Sequence, residues 1–96
     1  LMDTALTQEE SEMIRQAIMD NAAGSSGVHD LRTRRAGSAA FIDFHLVVSE
    51  DMPVGEAHDI CDRLEAAIKK AIPGASLAIH VEPEGVKPHG VRVRLS

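Results

Sequence analysis

The chain has 96 residues, with 15 acidic and 10 basic side chains and a formal net charge of -5 when its five histidines are neutral. A chain of this length is one domain, and one this small buries only a modest share of its surface. The acidic balance argues against a nucleic-acid partner, which calls for a basic face and often aromatic platforms, and suits cation binding, because a negative field concentrates cations.

The first predicted element is a helix over 7–22. Thr7-Gln8-Glu9-Glu10 has the pattern of a capping box, and Ile14, Ala17, Ile18 and Asn21 follow at helical spacing. Asn21 and the stretch Gly24-Ser25-Ser26-Gly27 end it. Val28 to Arg35 alternates apolar and polar residues, which predicts a strand with Val28 and Asp30 on one side and His29, Leu31 and Thr33 on the other. After a turn at Ala36-Gly37-Ser38, a second strand runs from Phe41 to Val48. Ile42, Phe44, Leu46 and Val48 share one face, and Phe41, Asp43, His45 and Val47 the other. The short link makes the pair an antiparallel hairpin.

Glu50-Asp51-Met52-Pro53 opens a second helix, with Pro53 placed in its first turn. Its stripe is Ala57, Ile60, Cys61, Leu64, Ile68, Ala71 and Ile72, with His58 at the boundary between core and water. Pro73-Gly74 stops it. Leu77, Ile79 and Val81 then alternate with Ala78, His80 and Glu82 in a third strand that Pro83 ends. Residues 84–96 are punctuated by Gly and Pro, and Val91-Arg92-Val93-Arg94-Leu95 reads either as a short edge strand or as a disordered tail. The order helix, strand, strand, helix, strand is a two-layer α+β sandwich with a three-stranded mixed sheet and two helices, over residues 1–83, followed by the tail at 84–96.

Phe41 and Phe44 are the only aromatic residues, so the core must be built from Ile, Leu, Val, Ala and Met. Support from a second subunit or a bound metal is expected. The single cysteine, Cys61, excludes an internal disulfide and fits a reducing compartment; within an apolar stripe it reads as a small core residue. No apolar run reaches the roughly 18 residues of a membrane helix, and the acidic N-terminus shows no signal peptide. The first residue is Leu1, which suggests a piece of something longer. Arg32, Arg34 and Arg35 form the one basic cluster, either an exposed strand end or a patch facing lipid headgroups or an acidic loop.

The chemistry lies in the histidines. His29, His45, His58 and His80 sit on or beside regular elements. Imidazole with carboxylate and without thiolate suits zinc, and equally iron(II), cobalt, nickel or manganese. There is no His-Glu-x-x-His pair, no paired-cysteine knuckle and no EF-hand loop, so any site must be assembled in three dimensions. His80 and Glu82 share a strand face, as do Asp43 and His45. Singly, each histidine reads more readily as a polar surface or boundary residue than as a ligand, and the pattern as a whole leaves a metal site open. Nucleophilic catalysis has little to stand on, since no Gly-x-Ser-x-Gly elbow exists and the Gly24–Gly27 loop precedes a strand rather than a helix. Glu82 and Glu84 read as a solvated strand end rather than an acid–base pair. The chain is not expected to be an enzyme.

Several segments resemble the cytoplasmic C-terminal domain of cation diffusion facilitators, membrane transporters that export divalent metals. Gly27-Val28-His29-Asp30-Leu31-Arg32-Thr33-Arg34 resembles that family's first strand and is the most specific match. Phe41-Ile42-Asp43-Phe44-His45-Leu46 is similar to its second strand. Glu56-Ala57-His58, with Asp62 and Leu64-Glu65, is similar to its second helix. Pro73-Gly74-Ala75 and Ile79-His80-Val81-Glu82-Pro83 resemble its third strand and exit, and Leu1-Met2-Asp3 the point where the last membrane helix leaves the bilayer. The match covers about residues 1–83.

The resemblance implies a metallochaperone-like (ferredoxin-like) α-β-β-α-β fold and a V-shaped homodimer on the cytoplasmic side of a bacterial inner membrane. It implies a membrane domain preceding Leu1. It also implies metal ligation by His29, His45, His58 and His80, with Glu82 as the bridging carboxylate where the family's best-known pattern has Asp, and Glu84 as a further candidate. His89 has no counterpart in it. Zinc is the implied ion, with iron(II), manganese, cobalt, nickel or cadmium as the others, and metal would close the dimer to favour export. A free-standing cytosolic metal-binding protein or chaperone of the same fold, and a small-molecule sensing module, are the alternatives.

Overall fold

The computed structural model describes residues 4–85. The expected strand or tail at Val91–Leu95, His89 and the Leu1-Met2-Asp3 opening lie outside these residues. The elements are α1 (Gln8–Asn21), β1 (Gly27–Ala36), β2 (Ala39–Val48), α2 (Val54–Ala71) and β3 (Ala75–Pro83). This is the α-β-β-α-β order read from the sequence.

Local chemistry sets the element ends. Thr7 caps α1 through a complete capping box: its hydroxyl accepts the Glu10 amide at 3.0 Å, and its own amide donates to the Glu10 carboxylate at 2.9 Å. That backbone bond, above all, holds the Glu10 carboxyl below its usual range, with Arg35 adding to the effect. Pro53 stands one place earlier than expected, as the N-cap of α2 with extended backbone. Position N-cap asks for β-region dihedrals, which the proline ring allows. Gly37, at φ 62°, turns the two-residue hairpin between β1 and β2.

The sheet order is β1-β2-β3, with β1 antiparallel and β3 parallel to β2. The parallel pair requires a crossover, and α2 supplies it. Both helices cover one face. Ile14 and Ile18 of α1 and Ile60, Leu64 and Ile68 of α2 close on Ile42, Phe44 and Leu46 of β2, and this core contains no buried polar residue. Each of these side chains contributes roughly 1.5–3 kcal/mol by leaving water. Among the described residues no helix covers the other face of the sheet, which presents Phe41, Asp43, His45 and Val47, all half-buried.

One face assignment changes. Strict alternation in β1 would place His29 with Leu31 and Thr33. Instead, the register shifts between His29 and Arg32: His29 faces His45, but Arg32 faces Asp43. Three steps on β1 match two on β2, which is a β-bulge. Asp30 takes up the extra residue at φ 58°, a left-handed conformation that Asp tolerates better than most side chains. The bulge turns Leu31 to the core, against which it packs, and leaves His29 on the open face.

A candidate metal centre on the open face of the sheet

His29, His45 and His80 occupy one rung of the sheet. His29 is the register partner of His45 across the antiparallel pair, and His80 is its partner across the parallel pair. Register partners project from the same face, so the rings stand in a row across three strands. Ring centroids are 5.3 Å apart for His29 and His45 and 5.1 Å for His45 and His80, and both pairs are stacked.

Glu82 lies two residues beyond His80 and so on the same face. Its carboxylate reaches across the row: one oxygen lies 2.5 Å from His29 Nε2 and the other 3.2 Å from His45 Nδ1. His29 Nδ1 lies 3.1 Å from the Asp30 carboxylate. Both nitrogens of His29 thus face acceptors, and both can donate only in the imidazolium form. The His29 pKa is raised accordingly, first by the Asp30 bond and, against the opposing effect of burial, also by Glu82. The Glu82 carboxyl is held below its usual range, chiefly by the His45 bond and next by His29.

Four of the six candidate ligands therefore meet: His29, His45, His80 and Glu82. The other two do not. His58 lies on α2, which packs on the opposite face of the sheet; it is largely exposed and pairs with Asp62 at 3.4 Å. Glu84 accepts a 2.7 Å hydrogen bond from the Ser26 hydroxyl, and its amide donates to the Val48 carbonyl at 2.8 Å. It fastens the exit of β3 to the loop before β1 instead of joining the row.

Asp30 was missed. Among the described residues, two groups can each set donor atoms within 4.8 Å of one another: His29 with Asp30 and His45, and the exposed set His58, Asp59 and Asp62. Strict alternation sends Asp30 to the far side from His29, and only the bulge returns it. The available signal was the break in alternation at Asp30-Leu31, with a residue tolerant of positive φ at the break.

The donor set is imidazole and carboxylate. Cys61, half-buried on α2 with its thiol pKa raised by burial, is not part of it. Such a set fits zinc and the other first-row divalent ions, and the Glu82 carboxylate already lies against two of the rings.

The profile of the family described as "Cation efflux protein, cytoplasmic domain" matches residues 6–84. This chain belongs to that family. Cation efflux proteins are transporters, which places the chain outside the enzymes. The cation-efflux pump FieF of Pectobacterium atrosepticum is 44% identical over 96 residues, all of this chain and 32% of its own length. The FieF of Escherichia coli O127:H6 is 43% identical over 100 residues, again with 32% of its length covered. The chain thus spans about a third of the curated relatives it matches.

Solved structures of cation efflux cytoplasmic domains agree in fold. The putative zinc transporter CzrB in its Zn form is 50% identical, with TM-score 0.77, over 92% of this chain and 100% of that one. The metal-bound C-terminal domain of the CzcD transporter from Thermotoga maritima is 26% identical, with TM-score 0.72, over 84% of this chain and 98% of that one.

Proposed function

We propose that this domain senses divalent metal, most readily zinc, for a cation efflux transporter on the cytoplasmic side of a bacterial inner membrane. The observation that carries the reading is the in-register row of His29, His45 and His80 with the Glu82 carboxylate lying between two of its rings. The Zn form of CzrB and the metal-bound CzcD domain support it as similar proteins.

In this reading the row takes metal through His45 and Glu82 together with His29 or His80, the two outer rings being too far apart to share one ion, and Asp30 orients His29. When bound, the ion supplies a divalent charge that joins imidazole and carboxylate groups now linked by shared protons. His29 must surrender a proton first, so uptake is coupled to proton release. Preorganisation comes from the sheet: three rigid strands fix the rings, and no loop must fold to bring them together.

The domain acts as a homodimer. His58 stands on the far face of its own sheet and reaches a row of this kind only on a second copy. A metal held by groups of both copies favours the closed arrangement, by no more than the difference in its affinity for the two arrangements. Transmission to membrane helices of the same transporter would favour export.

Calorimetric titration with zinc at pH 7.5 and pH 5.5, with sedimentation before and after metal, tests this. Tight binding at the higher pH that weakens sharply at the lower, on a dimer, is the expected result. Equal affinity at the two pH values would count against histidine ligation, and a monomer in both states would count against closure.

A further inference from the structure

The helix-covered face of the sheet is finished unevenly. Ile42, Phe44 and Leu46 of β2 are 0–1% exposed, yet their register partners Leu77 and Ile79 on β3 are only half-buried, and Val81 is 46% exposed. Between β3 and α2 runs a groove of about 660 Å³, with Leu77, Ile79 and Val81 along one wall and Ala57 and Cys61 along the other. Val54, 86% exposed at the start of α2, lines it together with Val81. Exposed apolar side chains gathered on one feature mark a contact site, where the same residues scattered singly would not.

The charges around this groove have one sign. Glu50 follows β2 just beyond Val48, the register partner of Pro83, and so stands at the far end of β3. Asp62 and Glu65 lie about two to three turns along α2, which runs back toward the start of β3. Among the described residues no lysine or arginine lines the groove. His58 meets Asp62 and Lys69 meets Glu65, each at 3.4 Å, in exposed pairs of the kind that contribute little.

From Leu77 to Val81 the wall extends four strand steps, about 13 Å, which is the reach of a short chain segment. β3 is the outermost strand among the described residues, so its main chain is set to pair with such a segment. A second copy meeting groove to groove would oppose Glu50, Asp62 and Glu65 to their own counterparts, which repel. We propose that the groove is a docking site for a basic, apolar segment of a second protein. Its alternate apolar side chains fill the wall from Leu77 to Val81, and its lysine or arginine residues reach Glu50 at one end and Asp62 and Glu65 at the other. The site lies across the sheet from the histidine row and stands independently of metal there.

The capped peptide Lys-Val-Thr-Val-Thr-Val-Lys, whose three valines repeat the Leu77, Ile79 and Val81 spacing, is titrated into the metal-free full chain. Amide NMR shifts and the rate of alkylation of Cys61, the chain's single thiol, are followed. The peptide should shift Val54, Ile79 and Val81 and slow the alkylation severalfold. Val81→Asp, which puts a charge into the apolar wall, and Glu50→Lys should each weaken binding at least ~tenfold. Salt at about 1 M, which screens charges beyond roughly 3 Å, should weaken it as well. No shift at the groove, equal binding by a peptide with glutamate in place of both lysines, or shifts confined to the face of His45 would overturn the proposal. So would protection of Cys61 that rises with protein concentration and needs no peptide, which would give the groove to a second copy.

Discussion

Replacing His45 with alanine removes the middle ring of the row. His29 and His80 flank it at 5.3 and 5.1 Å, so their rings lie about two strand spacings, or ~10 Å, apart. A zinc ion holds its nitrogen ligands at roughly 2.0–2.1 Å, so two of them can be no more than about 4 Å apart. At their separation His29 and His80 cannot ligate the same ion, so an ion on this row must count His45 among its ligands, and without it the remnant is His29 with Glu82. Loss of even an outer partner of a metal ligand costs roughly 10–100-fold in affinity; loss of the central ligand should cost at least ~100-fold, or about 2.7 kcal/mol.

Free zinc at a hundred times the wild-type Kd stabilises the native state by about 2.7 kcal/mol. At this chain length that is a rise in Tm of roughly 10–20 °C. At the same zinc concentration the His45→Ala protein should keep no more than about a quarter of that rise. The assay is thermal unfolding with and without zinc, followed by circular dichroism, with the metal-free Tm of each protein as its own baseline. A zinc-induced shift in His45→Ala equal to the wild-type shift would refute the row as the binding site.

Three further outcomes follow from the same structure. Leu64→Ala, at a side chain with no exposed surface in the centre of the core, should destabilise the protein by about 2–5 kcal/mol, measured by urea unfolding. Without metal, the Glu82 contacts should make stability depend on pH. The lowered Glu82 pKa contributes stability that is present above its ordinary 4.5 and lost as pH falls through the lowered value. The raised His29 pKa contributes stability that is complete below its ordinary 6.5 and lost as pH rises through the raised value. The difference in Tm between wild type and Glu82→Gln should therefore be greatest between these two values and shrink on either side. Asp30→Gly keeps the positive φ of the bulge while deleting the carboxylate on His29 Nδ1, so the His29 pKa, followed by NMR, should fall toward its ordinary value with the hairpin register intact.

Much of this architecture was legible along the chain. The Thr7–Glu10 box fixed the start of α1, and the 3.6-residue stripe from Ala57 to Ile72 fixed the buried face of α2. The alternation from Ile42 to Val48 divided β2 correctly between core and open faces, so His45 was placed on the open face from pattern alone. These signals are local: caps, turns and periodicity act over a few residues and are written in consecutive letters. His80 and Glu82 could be assigned to a common face for the same reason.

Which histidines meet could not be read that way. Strict alternation put His29 beside Leu31 and sent Asp30 elsewhere; the bulge at Asp30 corrected both, because one extra residue reverses the facing of everything beyond it. His58 and Glu84 entered as ligands by resemblance, and the fold set one behind the sheet and tied the other to Ser26. The rung His29–His45–His80 depends on two strand registers, one of them closed by an 18-residue helix between β2 and β3. Sequence by itself determined the elements, the faces of α2, β2 and β3, and the donor chemistry. Only the tertiary structure decided that three rings and one carboxylate stand together on the open face of the sheet, since register is settled by how α2 seats β3 on the core and not by any residue near the histidines.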